Sequence, residues 1–216
     1  MKVSGLFSLA AVVSSAVVSA APVLLSARQY SGNTYNQLID GTPCRDVTLI
    51  YARGTIQQGN VGDPAAVGPL MFNALAALLG TNKLAVQGVT YPASILGFLL
   101  GGDPDGANTM TAHVARAATQ CPNTKIILSG YSQGAQLVHR TAGQLTADVA
   151  GKVTAVLTLG DPFMKRTLAN IPASKHRVIC HDGDNICEGG IIVNDKHTNY
   201  QEDAGDAALW MMSRVR

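Results

Sequence analysis

The stretch KIILSGYSQGAQLVHRTAG, residues 125–143, holds a strand, a helix and the pattern that joins them. KIIL is a β-branched, apolar run of the kind that fills a buried strand. From Ala135 onward the apolar residues Ala135, Val138, Ala142, Leu145 and Val149 recur at intervals of three and four, which predicts a helix over 134–151. Between the two stands Gly130-Tyr131-Ser132-Gln133-Gly134. A G-x-S-x-G at a strand-to-helix turn is a nucleophile elbow. The chain turns so sharply that side chains at the two glycine positions would collide, and the serine hydroxyl is left exposed above the sheet. The motif alone arises easily in a chain with 22 glycines. Its place between a strand and a helix is what makes Ser132 a candidate nucleophile.

Outward from this unit, the same alternation repeats. DVTLIYA (46–52), AVQGVTY (85–91), VTAVLTLG (153–160) and HRVICH (176–181) read as four further strands. Helix patterns fall between most of them, at 68–80, 106–120 and 134–151, and a last one covers 201–215. Pro69 near the start and Gly80 past the end of the first follow the usual asymmetry of helix termini. Alternating strands and helices predict an α/β fold: a three-layer αβα sandwich around a mainly parallel five-stranded sheet. With 216 residues, 47% of them hydrophobic, and no repeat or linker, one domain over 29–216 is expected.

Ahead of that domain, residues 1–20 have a basic start at Lys2, an apolar stretch from Leu6 to Val18 and small residues before Ala20, the pattern of a secretory signal peptide. Residues 21–28 read as a short propeptide ending near Arg28. No run reaches the roughly twenty apolar residues of a membrane-spanning helix, so integral membrane association is not expected. A net charge of +2 without a Lys/Arg cluster gives no footprint for nucleic acid. In a secreted chain the four cysteines, Cys44, Cys121, Cys180 and Cys187, imply two disulfides. Three connectivities exist, and proximity favours Cys180 with Cys187. No pair has zinc-ligand spacing, so no metal is expected.

A serine nucleophile needs a base, and the base an orienting carboxylate, in the chain order Ser, Asp or Glu, His. His113 and His139 lie inside predicted helices. His176 and His181 flank the last strand and leave little chain for an acid before them. His197, in the segment before the C-terminal helix, is the best-placed base. CHDGDNIC, 180–187, offers Asp182 and Asp184, which spacing alone does not separate; Asp161 and Asp195 are outside candidates. For the oxyanion, the N–H of Gln133 and a donor from the loop YARGTIQQGNVG are expected, with Thr55 beside Gly54 supplying the second.

Three of these stretches, YARGTIQQGN, CPNTKIILSGYSQGA and C-x3-D-x2-C with a histidine ten residues on, together resemble the fungal cutinase family of compact, lidless serine esterases. The resemblance runs from about Cys44 to the C-terminus. It implies Ser132 as nucleophile, Asp184 rather than Asp182 as acid, His197 as base, and Gln133 with Thr55 as oxyanion hole. It also implies the disulfides Cys44 with Cys121 and Cys180 with Cys187, and no cofactor. The apolar stretches PASILGFLLGG and GGIIVND, with Leu96, Phe98, Leu99, Ile191, Ile192 and Val193, become an expected substrate-binding rim. The implied activity is hydrolysis of cutin-like aliphatic polyesters and short- to medium-chain esters by a secreted monomer. An acetylxylan esterase on the same fold is the alternative, disfavoured by four cysteines and an apolar rim. A non-catalytic secreted surface protein on the same scaffold is the remote one, since every expected catalytic position is filled.

Overall fold

The structure, a computed structural model, describes residues 29–80 and 82–216; the expected signal peptide and propeptide lie outside the described residues. Five strands form one sheet: β1 (Val47–Ala52), β2 (Leu84–Gly88), β3 (Lys125–Tyr131), β4 (Val153–Leu159) and β5 (His176–Ile179). Their order is β2-β1-β3-β4-β5 and every pairing is parallel. Such a sheet is covered on both faces, and its strands are buried on both.

The helices are α1 (Val67–Leu79), α2 (Ile95–Leu99), α3 (Pro104–Gln120), α4 (Gln133–Gln144), α5 (Ala147–Lys152), α6 (Asp195–Thr198) and α7 (Ala204–Val215). Strand side chains alternate between faces. Leu49, Tyr51, Ile127 and Leu157 pack with Met71 and Phe72 of α1 and Met211 of α7. Their neighbours Ile50, Leu128 and Val156 pack the opposite face with Met110 of α3 and Leu137 and Val138 of α4. Two apolar layers on one sheet make the expected three-layer sandwich.

Two sequence expectations need correction. The helix expected over 134–151 is two helices, because Leu145 and Thr146 are extended, with ψ of 137° and 155°. Leu145 is buried between the two, so apolar periodicity runs through a break that the backbone makes. The stretch 92–102, expected as loop, carries the short helix α2, capped by Ser94 Oγ accepting the Gly97 N–H at 3.0 Å. Helix α3 begins in the same way, with Pro104 at its first position and Asp103 accepting from Gly106 N–H. A cap of this kind contributes about 1 kcal/mol.

Both expected disulfides are present, Cys44–Cys121 across 77 residues and Cys180–Cys187 across seven. Chain entropy assigns about 4 to 5 kcal/mol to the long bridge and about 2 to 3 to the short one.

Strand order fixes where a site belongs. The chain leaves β1 toward β2 on one side and returns as β3 on the other, so a crevice opens beyond the C-terminal ends of β1 and β3. Thr55 follows β1 and Ser132 follows β3.

Candidate active site

Ser132 has φ 57° and ψ −120°, outside the regions an L-residue prefers. Its N–H donates to Leu159 O of β4 at 2.9 Å, and the two glycines make the conformation sterically feasible. A Cβ on Gly130 would lie 2.3 Å from Gly134 O, and one on Gly134 would lie 2.0 Å from Ala52 O of β1. Helix α4 therefore starts directly against the sheet, with the Gln133 N–H in its unpartnered first turn.

The Ser132 hydroxyl lies 2.9 Å from His197 Nε2. His197 Nδ1 lies 2.8 Å from Asp184 Oδ2 and 3.0 Å from Oδ1. Ser132, His197 and Asp184 are 6%, 2% and 0% exposed. Burial acts to raise the Asp184 pKa and is the largest single influence. Hydrogen bonds from His197 and Tyr200, the nearby imidazole charge and the Ile186 N–H together outweigh it and hold the carboxyl below its ordinary value. An ionised Asp184 only accepts, so Nδ1 of His197 carries the proton and Nε2 presents a lone pair to Ser132.

Several neighbours fix this arrangement. Tyr200 OH donates to Asp184 Oδ2 at 2.7 Å, and the Ile186 N–H to Oδ1 at 2.9 Å. Tyr131, the residue before the nucleophile, donates its OH to His197 O at 2.6 Å and stacks on the His197 ring. Asn194 caps α6 by accepting the His197 N–H and donates to Gly183 O, so it ties the base's segment to the acid's. His197 rests on Gly160, where a Cβ would lie 2.8 Å from its ring. His181 bonds Lys196 O at 2.8 Å and Asp203 Oδ2 at 2.7 Å. Burial lowers the His181 pKa, but these two bonds, the Asp203 charge and the Asn199 side chain together outweigh it and raise it.

The other candidates fall elsewhere. Asp182 and Asp195 are exposed. Asp161 is buried but pairs with His139, 3.0 Å away, and its second oxygen accepts the Phe163 N–H. That pair joins α4 to the end of β4 and does not reach Ser132.

Beside the serine, Gln133 Nε2 donates to Thr55 Oγ1 at 2.9 Å and to Ser94 O at 2.8 Å. Because Thr55 Oγ1 accepts there, its own proton is free to point into the cleft. Gly54, Ile56 and Gln57 commit their N–H groups within the protein, whereas no acceptor takes the Thr55 N–H among the described residues. Gly54 is needed because a Cβ there would lie 2.8 Å from the Tyr131 ring. The Thr55 N–H and hydroxyl and the Gln133 N–H form a donor set suited to an oxyanion. Thr55→Val is expected to lower kcat for ester hydrolysis about 10- to 100-fold with KM nearly unchanged. Steady-state kinetics on a soluble ester decide it, and an equal loss in KM alone would assign Thr55 to ground-state binding.

The cleft above the serine has a volume of about 490 Å³. Of the expected rim residues, Phe98, Ile191 and Val193 line it. Leu96, Leu99 and Ile192 do not, and stand 65%, 57% and 66% exposed on the surface around it. Ile95, within the expected stretch PASILGFLLGG, also lines it, as do Ile56 and Ile186, which were not expected from sequence. Ile56, 77% exposed with φ 60°, directly follows Thr55, and an apolar residue in that Gly-rich turn was the available signal.

The cutinase family model matches residues 43–215. A cutinase of Hypocrea jecorina is 46% identical over 82% of this chain and 70% of its own length, and cutinase CUT2 of Pyricularia oryzae is 44% identical over 96% and 98%. The structure of a Trichoderma reesei cutinase in complex with a phosphonate inhibitor superposes with a TM-score of 0.79 at 43% identity, covering 86% of this chain and 81% of that one. An acetyl xylan esterase structure, 21% identical over 81% of this chain and all of its own, with a TM-score of 0.64, shares the fold alone. A family model covering most of the chain, and relatives above 40% identity over it, place this protein in the cutinase family of carboxylic ester hydrolases.

Proposed function

We propose that this protein is a secreted, monomeric serine esterase that cleaves aliphatic polyesters and short- to medium-chain esters through an acyl-enzyme. The observation that carries the mechanism is the continuous chain of contacts from Ser132 Oγ through His197 to Asp184. His197 Nε2 takes the hydroxyl proton as Ser132 Oγ attacks the ester carbonyl, and Asp184 stabilises the imidazolium. The Gln133 N–H and the Thr55 N–H and hydroxyl stabilise the oxyanion. When the intermediate collapses, His197 returns the proton to the leaving alcohol. Water, deprotonated by the same nitrogen, then attacks the acyl carbonyl and releases the acid and Ser132.

The two disulfides suit an oxidising compartment, and among the described residues no helix is long and apolar enough to cross a membrane. The apolar surface around the cleft favours a polyester over an acetylated polysaccharide, whose hydroxyl-rich chain gains little from isoleucine and leucine. Initial rates on p-nitrophenyl esters from acetate to palmitate, on acetylated xylan and on a solid aliphatic polyester test the reading. A maximum at short to medium length with polyester release supports it; activity confined to acetyl groups, xylan included, overturns it. Labelling by a serine-directed phosphonate excludes a catalytically dead scaffold.

Leu96 and Ile192 flank the cleft without lining it, which separates adsorption from catalysis. Leu96→Asp and Ile192→Asp are each expected to slow release from solid polyester about five- to tenfold by removing apolar contact area. Hydrolysis of soluble p-nitrophenyl butyrate is expected to stay within twofold. Equal losses on both substrates would show that these side chains act on the reaction and not on adsorption.

A further inference from the structure

A second cleft, of about 590 Å³, lies away from Ser132 between α2, α4 and the segment after β4. Arg140, Arg166 and His139 line it, and no exposed carboxylate does. Asp161 beneath it is fully buried and occupied by His139 and the Phe163 N–H. Both arginines are held in place. Arg140 donates Nε to Gly101 O and Nη2 to Leu100 O, each at 2.7 Å. The Arg166 guanidinium sits 3.9 Å above the Phe163 ring, and among the described residues no acceptor takes its N–H groups. Gly101 stands between the two, since a Cβ there would lie 3.3 Å from Phe163 and 3.8 Å from Arg140 Nη2.

A smaller depression of about 220 Å³ adjoins both this cleft and the one over Ser132. It shares Phe98 and Ile191 with the serine cleft, and Leu99, Gly101, Phe163 and Arg166 with the basic one. The three adjoin in a row, and Arg166 lines both the middle depression and the basic cleft, beside Leu99 and Phe163. A planar guanidinium with free donors, placed beside apolar side chains, matches a carboxylate on an aliphatic chain.

From this adjacency we infer that the three act as one groove that binds ester chains ending in a free carboxylate, with that end on Arg166 and the scissile ester at Ser132. The inference rests on the esterase reading above. Each cut of a polyester leaves such an acid end, so the site favours chains already shortened from their ends. The carboxylate belongs either to the acyl side, as in half-esters of α,ω-dicarboxylic acids, or to the alcohol side, as in esters of ω-hydroxy acids.

The test compares kcat/KM for acid-terminated substrates with neutral, methyl-capped analogues of equal length. One series is the p-nitrophenyl half-esters, and the other the butyrate esters of ω-hydroxy acids, each from short to long. The charged-to-neutral ratio is expected to rise with length in one series, which identifies the side that occupies the groove. In Arg166→Gln the ratio of the long members is expected to fall about two- to fivefold, with Arg166→Lys between. Neutral substrates keep their rates, because Arg166 is exposed and remote from Ser132; their hydrolysis tests the esterase reading separately. A ratio that is flat in both series, or that falls equally at every length, overturns the site. The second outcome would mark general attraction to a positive surface.

Discussion

Ser132→Ala is expected to lower kcat for ester hydrolysis on the order of 10⁶-fold and to abolish labelling by a phosphonate, while the protein stays folded. The hydroxyl is the atom 2.9 Å from His197 Nε2, and no second nucleophile lies within reach of that nitrogen among the described residues. What remains is the residual rate from the oxyanion donors and binding. The fold is spared because the elbow is held by backbone: Ser132 N–H still donates to Leu159 O, and Gly130 and Gly134 still make room for the turn. Alanine pays about the same conformational cost as serine at φ 57°. Circular dichroism and a thermal melt within a few degrees of the parent confirm that the loss is chemical. Turnover within tenfold of the parent would sink the acyl-enzyme mechanism.

Asp184→Asn is expected to lower kcat about 10⁴-fold with a much smaller change in KM. Asp184 faces four donors, His197 Nδ1–H, Tyr200 OH, Ile186 N–H and, at 3.5 Å, Cys187 N–H. An amide places its own NH2 against at least one of them. His197 escapes by moving its proton to Nε2, and an Nε2–H cannot take the proton of Ser132. The same contacts predict how stability varies with pH. Because the Asp184 pKa is lowered in the folded protein, its contribution is complete above the ordinary value of 3.8 and is lost as pH falls through the lower folded value. Asp184→Asn should flatten that acidic part of the stability profile, measured as melting temperature against pH. A kcat within tenfold of the parent would mean that Tyr131 and Asn194 orient His197 without the carboxylate.

The sheet, its partition into two apolar faces and the elbow were legible because each rests on local pattern. Short β-branched, apolar runs mark β1, β3 and β4, and G-x-S-x-G joins the last residue of β3 to the first turn of α4. The break after Gln144 was not legible, since Leu145 and Val149 keep the helical period while Leu145 and Thr146 are extended. Spacing alone also left Asp182 and Asp184 open. Resemblance singled out Asp184, and its physical reason is the turn within the Cys180–Cys187 ring, which buries Asp184 and leaves Asp182 in solvent.

The supporting residues are a matter of distance along the chain. Tyr200, Asn194, Gly160 and His181 carry no motif, and each acts on a partner 11 to 37 residues away, as Asn194 does on Gly183 and Gly160 on His197. Sequence by itself determined most of the elements, the candidate nucleophile and the order in which a candidate acid and base follow it, because these depend on side-chain period and on the steric needs of a single turn. Tertiary structure decided which carboxylate meets His197, which apolar residues line the cleft and which merely surround it, and that Arg140 and Arg166 line one cleft. Those choices depend on how parallel crossovers bring separate loops to one edge of the sheet, and packing of the whole domain sets that placement.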